Sequence, residues 1–134
     1  MKFKGDIIIT DPCYICKSGE DWGKCGYGDI METLGINTYI SRNTIYGDWS
    51  CTTFNSDTDE PIGEFCADAG MVAVFLLEEV LKYNPDFDYH IERSWTTTWI
   101  KNFDGDVTFE VGTNDDVHVV GKGNINFRTY QTGF

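Results

Sequence analysis

Short runs of β-branched and aromatic residues, separated by turn-forming residues, recur along the first half of the chain. Residues 3–10 form the first predicted strand, because β-branched isoleucines fill its centre and an Asp-Pro pair follows it. Residues 38–41 and 47–56 are predicted as two further strands around a turn at Arg42 and Asn43, and the second of them shows alternation between residues 49 and 54. This pattern indicates a sheet rather than a helical bundle.

A hairpin, a buried strand and a helix are predicted in the middle of the chain. Residues 57–61 have the composition of a turn, and residues 62–67 are predicted to return beside the preceding strand. Residues 71–75 are apolar without alternation, which predicts a short strand buried on both faces. The helix spans about residues 76–83, since apolar side chains fall on one face and charged side chains on the other.

The chain from residue 89 onward has the pattern of an antiparallel meander. Strands are predicted at residues 89–103, 107–111 and 117–130. Turns are predicted between them at residues 104–106 and 113–116, where aspartate, asparagine and glycine cluster. Two glycines within the last strand predict a bulge or a sharp bend there.

Together these elements predict a single domain over residues 1–134. About seven strands and one helix make an α+β fold of mostly antiparallel β-structure, arranged as a bent sheet or a small open barrel. The first apolar stretch is too short for a signal peptide, and none approaches the roughly 20 residues of a membrane span. The cysteines number five, and an odd number argues against a complete disulfide framework. We therefore expect a cytoplasmic protein with free thiols.

Charge narrows the classes of partner. The chain carries 22 acidic and 10 basic side chains, a formal net charge of -12. A phosphate backbone repels a protein this acidic, so direct nucleic-acid binding is not expected. Aromatic residues make up 15% of the chain, and they are typical of ligand sites and protein interfaces. The expected partner is a protein or a small molecule, and the oligomeric state stays open.

The cysteines are the first candidates for chemistry. Cys13 and Cys16 form a C-x-x-C pair, Cys25 follows, and His90 is available as a fourth zinc ligand. Structural zinc sites usually combine two such pairs, whereas this chain has one. A zinc-deaminase signature would need the histidine motif before the cysteine motif, and a redox pair would need a helix at the first cysteine. We therefore predict no metal and no cofactor, with Cys51 and Cys66 packed in strands as small hydrophobic residues.

Two aspartates beside glycines mark a candidate binding site. Asp48 follows Gly47, and Asp68 lies two residues before Gly70. The simpler interpretation is that each side chain fixes a tight turn by accepting backbone N–H bonds. The alternative is that both line a pocket together with aromatic and basic residues. The complete candidate set for a ligand or a partner is Asp11, Tyr14, Trp22, Tyr46, Asp48, Trp49, Asp68, Arg93, Trp95 and Trp99. No catalytic residue is assigned.

Three segments resemble a family of small uncharacterised proteins of bacteria and their phages. They are GDIIITDPCY at residues 5–14, YGDW at 46–49 and GEFCADAGMVAV at 63–74. In that family an Asp-Pro-Cys-Tyr motif follows the first strand, and an Asp-Ala-Gly or Asp-Ser-Gly motif precedes a buried strand. The resemblance implies a shared fold and supplies no catalytic residues.

Three hypotheses about function follow. The favoured one is a small acidic non-enzymatic binding protein, a phage or bacterial accessory protein that occupies a basic surface of a host protein. The acidic turns 57–60, 104–106 and 115–116 would form its rim, and Trp49, Trp95 or Trp99 its anchor. The second hypothesis is a sequestering binder of a small molecule or nucleotide with an aromatic pocket. The third is a cysteine- or zinc-dependent enzyme.

Overall fold

Eight antiparallel strands form one sheet in the structure, a computed structural model that describes residues 1–15, 39–44, 49–68, 70–87, 96–113 and 116–133. The strands are Lys2–Thr10 (β1), Tyr39–Asn43 (β2), Trp49–Asn55 (β3), Pro61–Ala67 (β4), Met71–Leu76 (β5), Thr97–Val111 (β6), Val117–Gly123 (β7) and Phe127–Gly133 (β8). A short 3-10 helix, Pro12–Ile15, follows β1, and helix α1 spans Leu77–Tyr83. Among the described residues, no helix has the length and apolar character needed to cross a bilayer.

The sheet is strongly bent and does not close into a barrel. Its strand order is β2-β5-β1-β6-β7-β8-β3-β4, so β1 lies in the interior of the sheet. The bend brings β3 and β4 back over β6, where the hydroxyls of Thr53 and Thr98 lie 3.1 Å apart. Gly63 of β4 leaves room for Thr98, since a β-carbon there would lie 3.2 Å from the threonine side chain. The predicted α+β fold with a bent antiparallel sheet is therefore confirmed, with eight strands instead of about seven.

Apolar side chains pack on both faces of the central strands. Ile7 and Ile9 of β1 belong to a core inside the bend, whereas Ile8 faces a second core beneath α1. In β5, Val74 joins the first core and Phe75 the second. The prediction that residues 71–75 form a strand without a solvent face is therefore confirmed.

Helix α1 packs through one face, as its sequence pattern predicts. Leu77 and Val80 are buried, whereas Glu78 and Lys82 are exposed. The acidic residues lie in the first turn and Lys82 in the last, the order that favours the helix dipole. Asn84 ends the helix: its backbone N–H donates to the carbonyl of Val80, and its side-chain amide donates to the carbonyl of Ile15 at 3.2 Å. This last bond attaches the helix end to the 3-10 helix.

Two predicted turns prove to be parts of strands. Arg42 and Asn43 belong to β2, which pairs with β5 and not with β3 as the predicted turn implied. Residues 104–106 lie within β6, which continues for 15 residues from Thr97 to Val111. Gly105 serves close strand packing there, because a β-carbon would overlap the backbone carbonyl of Lys122. Aspartate and glycine are typical of turns, but at this site the glycine is present because two strands lie close together.

The predicted strand at residues 117–130 is in fact a hairpin. β7 ends at Gly123 and β8 begins at Phe127, with Asn124 in the turn between them. Asn124 also holds the turn against β6, because its side-chain oxygen accepts the N–H of Asp104 at 2.8 Å and its amide donates to the carbonyl of Asn102 at 2.7 Å. Of the predicted strand 89–103, residues 89–95 lie outside the described part of the chain, and residues 97–103 belong to β6.

The β7 and β8 strands separate soon after their turn. Within the described residues, their register consists of two pairs, Val120 with Arg128 and Gly121 with Phe127. Beyond these pairs, a side chain replaces the backbone carbonyl as hydrogen-bond acceptor: the backbone N–H of Val119 donates to the hydroxyl of Thr129 at 2.8 Å. The bend of the sheet is therefore accommodated at this junction by hydrogen bonds between backbone and side chains.

Candidate functional site

Asp11 joins two connections of the chain at one end of the sheet. Its side chain is fully buried. One carboxylate oxygen accepts the backbone N–H of Cys13 at 3.1 Å, and the other accepts those of Asp68 and Met71 at 2.9 and 3.3 Å. Three N–H donors offset the cost of removing the charge from water. The segment after β1 is thereby fixed to the connection between β4 and β5.

The described parts of all three family-like segments meet at this end of the sheet. Trp49 pairs with Ala67 in the ladder between β3 and β4. The backbone N–H of Thr44 donates to the carbonyl of Gly70 at 2.8 Å. We call this region, built around Asp11, the carboxylate corner. The sequence predicted a turn-fixing role for Asp48 and Asp68, whereas in the structure the Asp11 carboxylate accepts the backbone N–H bonds. Asp48 lies outside the described residues.

Tyr14 and Asp68 form the outer part of the carboxylate corner. The Tyr14 hydroxyl donates a hydrogen bond to the Asp68 carboxylate, and Cys13 and Cys66 lie nearby. Burial raises the pKa of the Tyr14 phenol, and the Asp68 charge raises it further. Tyr14 therefore stays protonated and acts as a hydrogen-bond donor.

The described cysteines, Cys13, Cys51 and Cys66, form no disulfide bond. Burial, and next the neighbouring Cys66, raises the pKa of Cys51 to about 12. A thiol with such a pKa is neutral at physiological pH, and the neutral form is a poor nucleophile. Within the described residues, no three His, Cys, Asp or Glu side chains group closely enough to hold a metal ion.

Trp49 lines a small cavity where β7 and β8 separate. The other lining residues include Cys51, Phe65 and His118, and the free volume is about 20 Å³. This is room for about one water molecule, not for a small-molecule ligand. The His118 ring closes one side: Nδ1 donates to the carbonyl of Thr129 at 2.7 Å, and Nε2 lies 2.5 Å from an Asp116 carboxylate oxygen.

Trp99 belongs to a different region from Asp11, Tyr14 and Asp68. It packs against the core beneath α1, and its indole N–H donates to the Asp6 carboxylate at 3.2 Å. Asp6 also accepts the backbone N–H of Asn102 at 2.9 Å, which fixes the bulge between β1 and β6. The Lys101 ammonium lies 4.3 Å from the centre of the Trp99 ring. Trp99 is thus a half-buried residue of the bulge.

The remaining candidates fall outside the described residues. The candidates for a ligand or partner in this group are Trp22, Tyr46, Asp48, Arg93 and Trp95, and the candidates for a metal are Cys16, Cys25 and His90.

An exposed aromatic surface that sequence analysis missed lies on the outer face of β7, β8 and β3. Its centre is Tyr130, whose exposed fraction is 45%. The rings of His118 and Phe54 contact it edge-on, with centroid distances of 5.4 and 5.9 Å. The Arg128 guanidinium lies 5.5 Å from the centre of the same ring and pairs with Glu110. The alternation of residues 127–133 was a usable signal, but it was hidden by treating 117–130 as one strand.

The β3–β4 hairpin concentrates negative charge beside this aromatic surface. Residues 49–68 contain five acidic side chains and no lysine or arginine. All five are exposed: Asp57, Asp59, Glu60, Glu64 and Asp68. The aspartates of β6 differ, since Asp104 pairs with Lys4 and Asp106 with Lys2 in the register of β1 and β6. The acidic hairpin, as we call residues 49–68, therefore carries negative charge that no basic residue of its own offsets.

Comparisons of the chain with protein-family models, with curated proteins and with solved structures find no significant match.

Proposed function

We propose that the protein is an acidic, non-enzymatic binding protein that occupies a basic surface of a protein partner. The observation that carries this proposal is the acidic hairpin: five exposed carboxylates on 20 consecutive residues without a basic side chain. Such a concentration of one sign of charge attracts a basic surface and speeds association. A cytoplasmic accessory protein of a bacterium or a phage, acting on a host protein, fits this chemistry.

The exposed aromatic surface beside the hairpin supports the same proposal. Protein interfaces place tyrosine and arginine at their energetic centres, surrounded by polar residues. Tyr130 and Arg128 have this arrangement, with Glu110 next to them. The anchor expected from the sequence was a tryptophan, whereas Trp49 and Trp99 are half-buried and Tyr130 is exposed.

Each of the two alternatives is disfavoured at one place among the described residues. The cavity at Trp49 holds only about 20 Å³, which does not favour a small-molecule binder at that place. The raised pKa of Cys51, about 12, disfavours this thiol as a nucleophile.

Native mass spectrometry of the purified protein distinguishes the three classes. A tagged chain expressed in bacterial cells and isolated under mild conditions would carry a protein, a small molecule or a metal as added mass. The proposal expects a protein partner with a basic surface. A stoichiometric metal or a bound metabolite without a protein would contradict it.

Association rates then test the charge mechanism. We expect the triple variant Asp57→Asn, Asp59→Asn, Glu60→Gln to associate about tenfold more slowly at low salt, since electrostatic steering acts on the association rate. Dissociation should change little. In wild type, association should slow as ionic strength rises from about 0.05 M to about 0.15 M.

A control variant carries the same change of net charge on another surface. Glu78→Gln, Glu79→Gln and Asp86→Asn lie on or after α1, away from the acidic hairpin. This control should slow association less than the hairpin variant does. Equal effects would show that only total charge matters, and association independent of salt would contradict the proposal.

A further inference from the structure

A continuous row of side chains crosses the outer face of the sheet through Tyr130. In the strand register, Glu110 lies opposite His118, and Tyr130 and Glu64 lie on either side of Thr52. The ring contact between His118 and Tyr130 joins the two halves of the row. The row therefore has an exposed aromatic ring near its centre and an exposed carboxylate at each end. We call this surface the Tyr130 face.

The Tyr130 face already holds one guanidinium group. Arg128 lies 5.5 Å from the centre of the Tyr130 ring while its terminal nitrogen donates to Glu110. A tyrosine ring attracts a guanidinium through its quadrupole, and a carboxylate binds it by charge-assisted hydrogen bonds. This arrangement shows that the face offers both kinds of contact to a single arginine.

Charge at the other end of the face is not offset in the same way. Glu64 belongs to the acidic hairpin, and the turn residues Asp57, Asp59 and Glu60 continue the negative charge beyond it. The basic residues on the outer face of β7 and β8 are Lys122 and Arg128, and Arg128 is engaged by Glu110. An incoming positive charge is therefore favoured over a negative or a neutral one.

We propose that the Tyr130 face is the docking surface for an arginine side chain of the protein partner. The inference rests on the proposed function and names the surface and the partner chemistry for it. Arginine is favoured over lysine because its planar group both stacks on an aromatic ring and pairs with a carboxylate. The incoming arginine contacts the exposed part of the Tyr130 ring and the carboxylates of the acidic hairpin.

Titration with short peptides, followed by heteronuclear NMR, tests this inference directly. The probes are acetyl-Gly-Arg-Gly-Arg-Gly-amide and the same peptide with lysine in place of arginine. We expect saturable shift changes at Tyr130, Phe54 and Glu64 with the arginine peptide, and weaker binding of the lysine peptide. Shift changes centred on α1, or no saturable change up to about 1 mM peptide, a concentration typical of weak complexes, would overturn the inference.

A pair of substitutions separates the aromatic contact from general charge. Tyr130→Ser removes the ring without changing net charge, and we expect it to weaken arginine-peptide binding about two- to fivefold. Val111→Ser is the matched control, since Val111 has the same exposed fraction of 45%. The control should bind as wild type does, and melting curves show that both variants are folded. Equal affinities of Tyr130→Ser and wild type would overturn the inference.

A second pair tests competition by the resident guanidinium. Arg128→Gln removes the group that occupies Tyr130 and Glu110, whereas Lys122→Gln removes the same charge from a neighbouring strand. If the incoming arginine uses the same ring, Arg128→Gln should raise affinity more than Lys122→Gln does. Equal gains in the two variants would show that charge alone determines binding, which overturns the inference.

The two proposals fail in distinguishable ways. If a protein partner associates in a salt-dependent manner but Tyr130→Ser leaves its dissociation rate unchanged, the Tyr130 face is wrong and the acidic binding function stands. If association with that partner is independent of salt and of the acidic hairpin, the proposed function itself is wrong.

Discussion

Asp11 shows how a single buried charge determines local structure at the residue scale. Its two oxygens accept N–H bonds from Cys13, two residues further on, and from Asp68 and Met71, which lie 57 and 60 residues away along the chain. An asparagine has nearly the same shape but only one oxygen, so its amide would face at least one N–H donor. The carboxylate, rather than the size of the side chain, is what this position requires.

We therefore expect Asp11→Asn to lower the free energy of unfolding by about 2–3 kcal/mol, because hydrogen bonds to a charged acceptor are lost and buried donors remain. Urea unfolding measures the change. Glu64→Gln, at an exposed carboxylate, is the control and should change stability by about 0.5 kcal/mol or less. Equal effects of the two substitutions would contradict the structural role of Asp11.

The buried thiol of Cys51 makes the free energy of unfolding depend on pH in the alkaline range. Its pKa in the folded protein is about 12, above the ordinary value of 9.0, because burial disfavours the thiolate. Between these values the unfolded chain loses the proton and the folded chain keeps it, so stability falls as pH rises from about 9 toward 12. Below pH 9 this group contributes no pH dependence.

Replacing the thiol tests this assignment. Cys51→Val keeps an apolar side chain of similar size, so stability at pH 7 should change by less than about 1.5 kcal/mol. Unfolding free energies at pH 8, 9 and 10 should then fall less steeply than in wild type. Tyr14, whose pKa is also raised, should retain part of the slope. If the unfolding free energy falls with pH as steeply as in wild type, burial does not raise the pKa of the Cys51 thiol.

At the scale of elements, the junction of β7 and β8 depends on side chains where the ladder ends. The hydroxyl of Thr129 accepts the buried N–H of Val119, and its carbonyl accepts a hydrogen bond from His118. Valine has the same shape as threonine but cannot accept the N–H bond. We expect Thr129→Val to lower stability by about 1–3 kcal/mol, the cost of an unsatisfied buried donor.

Thr132→Val is the matched control for this substitution. Thr132 lies on the same strand, is exposed, and bonds only another hydroxyl, that of Thr52, at 2.9 Å in the described contacts. Its replacement should cost less than about 0.5 kcal/mol. If both variants unfold at the same urea concentration, the strands are held together at this junction by other contacts.

Elements whose signals were local could be predicted from sequence. The buried strand at Met71–Leu76, the helix at Leu77–Tyr83 and the β3–β4 hairpin each follow from spacing within a few residues. The prediction of a turn at residues 104–106 was wrong because Gly105 allows close contact with Gly123 of another strand. Asn124 was missed as a turn residue because its partners lie in β6. Local composition does not contain such distant partners.

The candidate site residues show the same difference between local signals and distant partners. Asp11, Tyr14 and Asp68 were selected by their neighbours in sequence, and the structure places them together. Trp99 was grouped with them by residue type alone, and it lies at the bulge instead. Tyr130 was missed because its environment comes from three strands, with Phe54 and His118 on its two neighbours. To predict a surface that several strands form, one must know the order of the strands in the sheet, and a single sequence does not give that order.

At the scale of the whole molecule, net charge opposes the folded state. A formal charge of -12 on 134 residues repels itself, and folding brings the carboxylates of the acidic hairpin closer together. At physiological ionic strength, salt largely screens this repulsion between exposed charges that lie more than about 8 Å apart. Stability should therefore increase with moderate salt rather than decrease.

We expect the unfolding free energy to rise by roughly 0.5–1 kcal/mol between about 0.02 M and about 0.2 M sodium chloride, the scale of a few exposed charge interactions. Thermal unfolding at several salt concentrations measures this. The Asp57→Asn, Asp59→Asn, Glu60→Gln variant should show a smaller increase. A stability that falls with salt would indicate that favourable ion pairs outweigh repulsion.

The place of β1 within the sheet has a consequence for how the chain folds. Its neighbours are β5 and β6, and about 60 residues separate the end of β1 at Thr10 from the start of β5 at Met71. Large loops must close before these pairs form, so folding should take milliseconds to seconds rather than microseconds. Meanwhile Ile7, Ile8 and Ile9 stay without partners, an aggregation-prone stretch. The flanking charges of Asp6 and Asp11 then act as gatekeepers that disfavour self-association before the sheet is complete.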